Sequence, residues 1–177
     1  MDNLVISHNH ISTSWIETLA LEELNMDESG VVHIDDHLDP SDLLEEDSIR
    51  FMNSIRDRME LLVERFNQHR GGKQSEASVK IFKISNTVND FMLFRNALRL
   101  VFARKSVDVI SIGFLDKGGV LIPANSRKTN SELHSPHEIR AEIGPFNKIR
   151  WNFSGERVDL DALTRYYLSA FIRNSAR

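Results

Sequence analysis

The chain contains no cysteine, so the sequence excludes both disulfide bonds and thiolate chemistry. It also lacks any run of about 18 apolar residues, the length that a membrane-spanning helix needs. Its N-terminal stretch, MDNLVISHNH, has neither the positive charge nor the long apolar run of a signal peptide. We therefore expect a cytoplasmic protein that does not associate with membranes.

The common signatures of catalysis and phosphate binding are missing as well. Gly71-Gly72-Lys73 does not have the GxxxxGK spacing of a phosphate-binding loop, and neither GxSxG nor HExxH occurs. No pair of carboxylates occupies a recognisable catalytic frame. These absences argue against an enzyme, and we expect no catalytic residue and no cofactor.

Positive charge is absent from residues 1–47, which contain 13 Asp and Glu side chains. Residues 48–70 carry a net charge of +2 and residues 71–177 a net charge of +7, so the overall charge of −4 conceals a strong asymmetry. Segments with such an imbalance are often interaction arms. We expect residues 1–40 to form an acidic N-terminal arm and residues 41–177 to form a single globular domain.

The acidic arm contains one short amphipathic pattern. Ser14 and Glu17 have the spacing of a capping box, and the apolar side chains that follow share one face of a short helix: Trp15, Ile16, Leu19, Ala20 and Leu24. Acidic segments with interspersed apolar residues often fold on a partner surface. Trp15, Ile16 and Leu19 are therefore candidate partner-binding residues, and the partner is either another protein or this chain's own basic domain.

A long helix is expected to begin at Ser41, a candidate N-cap, and to end at about Gln68, before a Gly-Gly pair. Its apolar residues recur at spacings of 3 and 4, as in about two heptads of a coiled coil: Met52, Ile55, Met59, Leu62 and Phe66. One interpretation is a helix that lies on a sheet. The other is a helix that also forms a homodimer through Met52, Ile55, Met59 and Leu62.

The most apolar stretch, residues 91–105, predicts a central helix. At about 100° per residue its apolar side chains cover an arc of about 200°, and Arg95, Asn96 and Arg99 keep the remaining wedge hydrophilic. Strand-like runs flank it at residues 78–85 and 107–115. The short links on both sides favour a right-handed β-α-β crossover.

Two later segments, residues 137–143 and 149–153, alternate in polarity and predict a β-hairpin. If the apolar sides of both strands face the core, Ile143 must lie opposite Ile149. That register requires an odd loop. Pro145-Phe146-Asn147 suits a three-residue turn, because proline fixes φ and asparagine tolerates the left-handed region.

The chain closes with a helix expected from Leu160 to Arg173. Leu168 and Ile172 lie off its main core face and form a second apolar patch, which either contacts another part of the domain or forms a subunit interface. Together these elements predict an α+β fold. We expect a mixed, mostly antiparallel five-stranded sheet with three main helices packed chiefly on one face, plus the acidic N-terminal arm.

Histidines are the remaining candidates for chemistry. His33, Asp35 and His37 would share one face of an extended strand and could hold a divalent metal. The segment is acidic and has no evident supporting residues, so we expect solvated arm residues and no metal site. His134 and His137 form another close pair, in which His137 is expected to point toward the core.

The positive charge of the domain has two interpretations. Arg127, Lys128, Arg140, Lys148 and Arg150 fall on one loop and on the outer face of the predicted hairpin, where they could meet the phosphates of a nucleic acid. Acidic neighbours on the same face, and the inward direction of the aromatic side chains on these strands, weaken that interpretation. The other interpretation is that this surface receives an acidic protein segment.

We therefore predict a non-enzymatic, cytoplasmic protein-binding or regulatory module whose acidic arm docks on a basic body or on a partner. One alternative is a nucleic-acid-binding regulator that the arm inhibits. Another is an enzyme or metal-binding protein that uses a cluster of histidines and carboxylates. If the protein forms a homodimer, we expect the interface on the long helix or on the patch of Leu168 and Ile172.

Overall fold

A computed structural model describes the following parts of the chain: residues 12–30, 39–72, 75–115 and 136–176, with the backbone of residues 121–122. The chain divides into two compact units, residues 1–37 and 38–177. All the side chains that are buried in the described parts belong to the second unit, which therefore contains a complete hydrophobic core of its own.

The first unit contains helix α1 (Ser14–Ser29), so the helix predicted in the acidic arm is confirmed. Thr13, rather than Ser14, occupies the N-cap, and its hydroxyl donates to the Glu17 carboxylate at 3.2 Å. Gly30 ends the helix in the left-handed region, with φ of 67°, and donates its N–H to Met26 O at 2.8 Å. Glycine suits this position because it has no Cβ to clash there.

The described part of the second unit contains two helices and eight strands. Their bounds, in chain order, are α2 (Pro40–His69), β1 (Lys80–Lys83), β2 (Phe91–Arg95), β3 (Leu98–Ser106), β4 (Val109–Leu115), β5 (Leu121–Ile122), β6 (His137–Ile143), β7 (Ile149–Phe153), β8 (Glu156–Arg157) and α3 (Leu160–Asn174). None of the helices in the described residues combines the length and apolar character that crossing a bilayer requires.

Each pair of neighbouring strands in the described sheet is antiparallel, and the spatial order is β1-β2-β3-β4-β6-β7-β8. β5 pairs with the last two residues of β4, whereas β6 pairs with the first four. The result is a seven-stranded antiparallel sheet to which β5 adds a two-residue piece. The α+β class is confirmed, but the prediction of a mixed five-stranded sheet is wrong.

The predicted central helix at residues 91–105 is also wrong, because this stretch forms the β2–β3 hairpin. Arg95 pairs with Leu98, and Asn96 and Ala97 make a two-residue turn in which Asn96 is left-handed, with φ of 53°. A run with ten apolar residues among fifteen fits either a helix or a pair of strands. The informative residue is Asn96, since asparagine enters left-handed turns more readily than most other residues.

α2 and α3 pack on the same face of the sheet. Phe91 and Phe102 stack at the centre of this layer, with ring centroids 4.6 Å apart and no exposed surface. Tyr167 of α3 meets Phe102 edge-on, with 6.1 Å between centroids. Full burial of a large apolar side chain stabilises a fold by about 1.5–3 kcal/mol, so this layer carries much of the stability. α2 contributes one buried stripe: Ser48, Met52, Ile55, Met59, Val63 and Asn67.

The long helix follows its prediction closely, with two local differences. Asp39 caps it instead of Ser41, because the Asp39 carboxylate accepts the Ser41 N–H at 2.8 Å. The helix ends at His69, just before the predicted glycine pair. Leu62 is 41% exposed, and Val63 occupies the core position that was expected for Leu62. The buried stripe therefore follows the helical repeat rather than a coiled-coil seam.

Candidate protein-binding surfaces

The β6–β7 hairpin has the register predicted from its alternating pattern. Ile143 pairs with Ile149, and the Gly144 N–H donates to Lys148 O at 2.8 Å. Pro145–Asn147 forms the turn, which the Lys148 N–H closes by donating to Pro145 O at 3.3 Å. The three-residue turn and the left-handed asparagine, with φ of 57°, are both confirmed.

Phe146 occupies the end of this hairpin in an unfavourable conformation. Its φ of 57° and ψ of 37° place it in the left-handed region, which costs a residue with a Cβ about 1–2 kcal/mol. Its side chain has a relative exposure of 104%, so it packs on nothing. Ile143, beside the turn, is 40% exposed and adds apolar surface. Neither the turn nor the core explains a phenylalanine at this position.

Two exposed cations follow Phe146 closely in the chain, Lys148 just after the turn and Arg150 in β7. The Arg150 guanidinium lies over the turn, because its Nη2 is 2.8 Å from the place that a Cβ on Gly144 would occupy. None of the ion pairs formed within the described parts of the chain involves either cation. We define Phe146, Lys148 and Arg150 as the hairpin tip, which combines an exposed aromatic ring with two cations that form no ion pair within the described residues.

Arg140, the other cation predicted on the hairpin's outer face, is already engaged. Its guanidinium donates to Glu138 at 2.6 Å, and Lys105 of β3 donates to the same carboxylate at 2.6 Å. The hydrogen bond from Lys105 is the main cause that lowers the pKa of Glu138, and the charge of Arg140 adds to it. Arg140 is therefore less available to a partner than Lys148 and Arg150.

α1 has the opposite charge. It contains five acidic residues and no basic one, and none of its residues is buried. Its large apolar side chains are 47–62% exposed: Trp15, Ile16, Leu19, Leu21 and Leu24. An isolated helix of this length is marginally stable in water, and exposed apolar side chains on it favour a partner surface. The predicted partner-binding residues Trp15, Ile16 and Leu19 are thus on accessible positions.

The two surfaces considered for a homodimer have a different role. Three of the four residues named on α2 have no exposed surface: Met52, Ile55 and Met59. Leu168 is 8% exposed and Ile172 packs against the same core. α2 and α3 direct most of these side chains into their own domain, whereas Leu62 is 41% exposed, and a homodimer stays a prediction. The alternative of a contact within the domain describes Leu168 and Ile172 correctly.

Several candidates lie outside the described residues. They are the cations Arg127 and Lys128, the metal candidates His33, Asp35 and His37, and His134. Where the structure does describe the chain, no three His, Asp or Glu side chains come together in a way that could hold a metal ion.

His137 lies on the core face, as predicted, and contacts α3. Its Nδ1 is 2.6 Å from the Tyr167 hydroxyl, and its ring lies beside Phe153 with 5.2 Å between centroids. Burial lowers the pKa of His137 and raises the pKa of Tyr167. In acid–base catalysis the catalytic group must lie within hydrogen-bond reach of the substrate atom that loses or gains the proton. Among the described residues no carboxylate bonds to His137, so the pair is better explained as packing between β6 and α3.

Arg95 is a buried cation, 3% exposed. Its guanidinium lies over the Phe66 ring at 5.4 Å and donates to Ile172 O at 3.4 Å. That carbonyl belongs to the C-terminal end of α3, where the helix dipole favours positive charge. Burial is the main cause that lowers the pKa of Arg95, with repulsion from Arg70 second, and its Nε has no hydrogen-bond partner among the described residues. We interpret Arg95 as support for the end of α3.

Sequence reasoning missed Phe146 as a functional candidate, although it identified the turn that holds it. The available signal was its position. A large apolar residue at the middle of a three-residue turn lies between two strands that already direct their apolar sides to the core, and it has no core to reach.

No family model, no curated protein and no solved structure matches this chain. Its function must therefore be inferred from the chemistry of the hairpin tip and of α1.

Proposed function

We propose that this protein is a non-enzymatic protein-binding module that recognises acidic, partly apolar protein segments through a basic surface. In this proposal its own acidic arm competes for that surface. The hairpin tip carries the proposal, because a fully exposed Phe146 is followed within four residues by the exposed cations Lys148 and Arg150, which form no ion pair within the described residues. An acidic segment that covers such a surface gains both apolar burial and complementary charge.

α1 supports the competitive part of the proposal, because it has the chemistry of such a segment. It combines acidic residues with the exposed side chains of Trp15, Ile16 and Leu19. Residues 30–39 connect α1 to α2, and a connection this short gives an effective concentration on the order of millimolar. A segment that binds weakly when free can then compete with a partner, which gives the arm a regulatory role.

An acidic protein segment is favoured over a nucleic acid as the ligand. Binding to a phosphate backbone draws on several cations together. Arg140 and Lys105 already bond to Glu138, whereas Lys148 and Arg150 form no ion pair within the described residues. Two such cations on the described part of the hairpin are few for a row of successive phosphates.

The experiment compares the full chain with residues 38–177, the unit that contains a complete core. Both are titrated against a fluorescently labelled peptide of residues 12–30, and anisotropy is measured at low and high salt. Residues 38–177 should bind the peptide and should bind more weakly at high salt, since salt screens surface charges beyond about 8 Å at physiological ionic strength. The full chain should bind the peptide with an affinity about tenfold lower than that of residues 38–177, because its own arm competes.

A peptide in which Glu17, Glu22 and Glu23 are replaced by Gln is the matched control, and it should bind weakly at every salt concentration. If residues 38–177 do not bind the wild-type peptide, the proposed recognition is wrong. If the full chain and residues 38–177 bind it equally, recognition stands and competition by the arm is wrong.

A further inference from the structure

Phe146 weakens the fold at a position where other residues would strengthen it. The turn holds Phe146 and Asn147 successively in the left-handed region, with φ of 57° at both. Glycine adopts this conformation freely, and asparagine adopts it more easily than a bulky residue does. The ring is fully exposed, so no burial offsets the strain of about 1–2 kcal/mol. Unfavourable backbone conformations of this kind cluster at binding sites.

The residues around Phe146 indicate what kind of partner would fit. Lys148 and Arg150 are exposed cations two and four residues after Phe146, and the Arg150 guanidinium lies over the turn that holds it. The carboxylate of Glu142, opposite Arg150 in the ladder, instead accepts a hydrogen bond from Asn152 at 2.7 Å. A matching partner must therefore offer an apolar recess together with negative charge.

We propose that the hairpin tip docks on an acidic helix of a partner protein, with Phe146 as the anchor. This inference rests on the proposed function and names the anchor and the form of the partner. A single protruding ring fits the recess that side chains at positions i, i+3, i+4 and i+7 form on a helix. Carboxylates that lie one helical turn from this recess, about 5.4 Å along the axis of the partner helix, are then within reach of Lys148 and Arg150.

α1 is a suitable probe for this docking, because its sequence contains such a recess. Positions i, i+3, i+4 and i+7 are occupied by Ile16, Leu19, Ala20 and Glu23. Ala20 leaves room for a ring, and Glu23 places a carboxylate at the edge. A labelled peptide of residues 12–30 therefore presents the chemistry that the hairpin tip is proposed to recognise.

The experiment titrates this peptide against residues 38–177 carrying single substitutions. Phe146→Gly should weaken binding about tenfold or more, as the loss of an interface anchor typically does. The same variant should have a higher Tm than the wild type, because glycine relieves the left-handed strain. This rise separates a lost anchor from a damaged fold.

Two charge variants complete the set. Lys148→Glu combined with Arg150→Glu should weaken binding and reduce its salt dependence. Lys80→Glu is the matched control, since Lys80 is an exposed cation on β1, at the other end of the strand order. It should bind the peptide as the wild type does.

Each other outcome overturns the inference in a different way. Equal binding by the wild type and Phe146→Gly removes Phe146 as the anchor and leaves the proposed function standing. If wild-type residues 38–177 do not bind the peptide, both this inference and the proposed function are wrong. If the full chain sediments as a dimer that Phe146→Gly dissociates, the occupant is a second copy and the partner assignment is wrong. If Phe146→Gly abolishes binding to vesicles of phosphatidylcholine and phosphatidylserine while peptide binding is unchanged, the tip docks on a membrane surface instead.

Discussion

Asn67 joins the end of α2 to the segment that enters β1, and its replacement by alanine should destabilise the domain strongly. The Asn67 side chain donates to Val79 O and accepts the Val79 N–H, both at 2.9 Å. Asn67 is 5% exposed and Val79 is 3% exposed. Val79 precedes the paired register of β1, which begins at Lys80, so the asparagine supplies the hydrogen bonds that a neighbouring strand would otherwise provide.

The size of the effect follows from the two groups that lose their partner. Asn67→Ala leaves the N–H and the C=O of Val79 buried and unsatisfied, and each such group costs about 1–3 kcal/mol. We expect the free energy of unfolding to fall by about 2–4 kcal/mol, allowing for partial relaxation of the site. In a domain of this size 1 kcal/mol corresponds to roughly 2–4 °C in Tm, so Tm should fall by about 5–15 °C.

Urea unfolding followed by far-ultraviolet circular dichroism measures this change directly. Asn174→Ala is the matched control, because Asn174 also donates from its side chain to a backbone carbonyl, Ala170 O at 2.7 Å, but at an exposed position. Its loss should change the free energy of unfolding by no more than about 0.5 kcal/mol. If Asn67→Ala is no more destabilising than Asn174→Ala, the reasoning about buried backbone groups is refuted.

Two further predictions concern the pH dependence and the β2–β3 turn. Burial lowers the pKa of His137, so the unfolded chain binds more protons there, and stability should fall as pH decreases below the ordinary value of 6.5. Thermal melts between pH 5 and pH 7.5 should show a smaller decrease for His137→Gln than for the wild type, and equal decreases would contradict this assignment. At the turn, Asn96→Val should be less stable than Asn96→Gly by about 1–2 kcal/mol, because both lose the bond to Ser175 O but only valine is strained at φ of 53°. Urea unfolding measures both variants. A higher stability for Asn96→Val than for Asn96→Gly would contradict the turn, because it is the order expected in a helix, where glycine is the poorer residue.

The features that could be predicted from the sequence depend on neighbours in the chain. α3 was expected to begin at Leu160, and it does begin there, with the Asp159 carboxylate accepting the Ala162 N–H at 2.7 Å. The register of the β6–β7 hairpin followed from alternation and loop length alone. The basic surface was partly anticipated, because Lys148 and Arg150 alternate with core residues along one strand.

The features that could not be predicted depend on which residues meet across the fold. Residues 91–105 are apolar on nearly every side, and such a run forms a helix or a hairpin according to what covers it. Here β1 and β4 flank the hairpin while α2 and α3 cover one of its faces, so both strand edges are paired and one face is buried. The same packing removed Met52 and Leu168 from the surface, where their spacing had suggested an interface.

The sequence by itself determined the acidic segment, the ends of the helices and the hairpin register, because caps, turns and alternation act over a few neighbouring residues. Only the tertiary structure decided that the most apolar stretch is a pair of strands and that Met52 and Leu168 lie inside the domain. The physical reason is that apolar side chains are driven from water without regard to direction, so their location depends on the surfaces that the rest of the fold makes available.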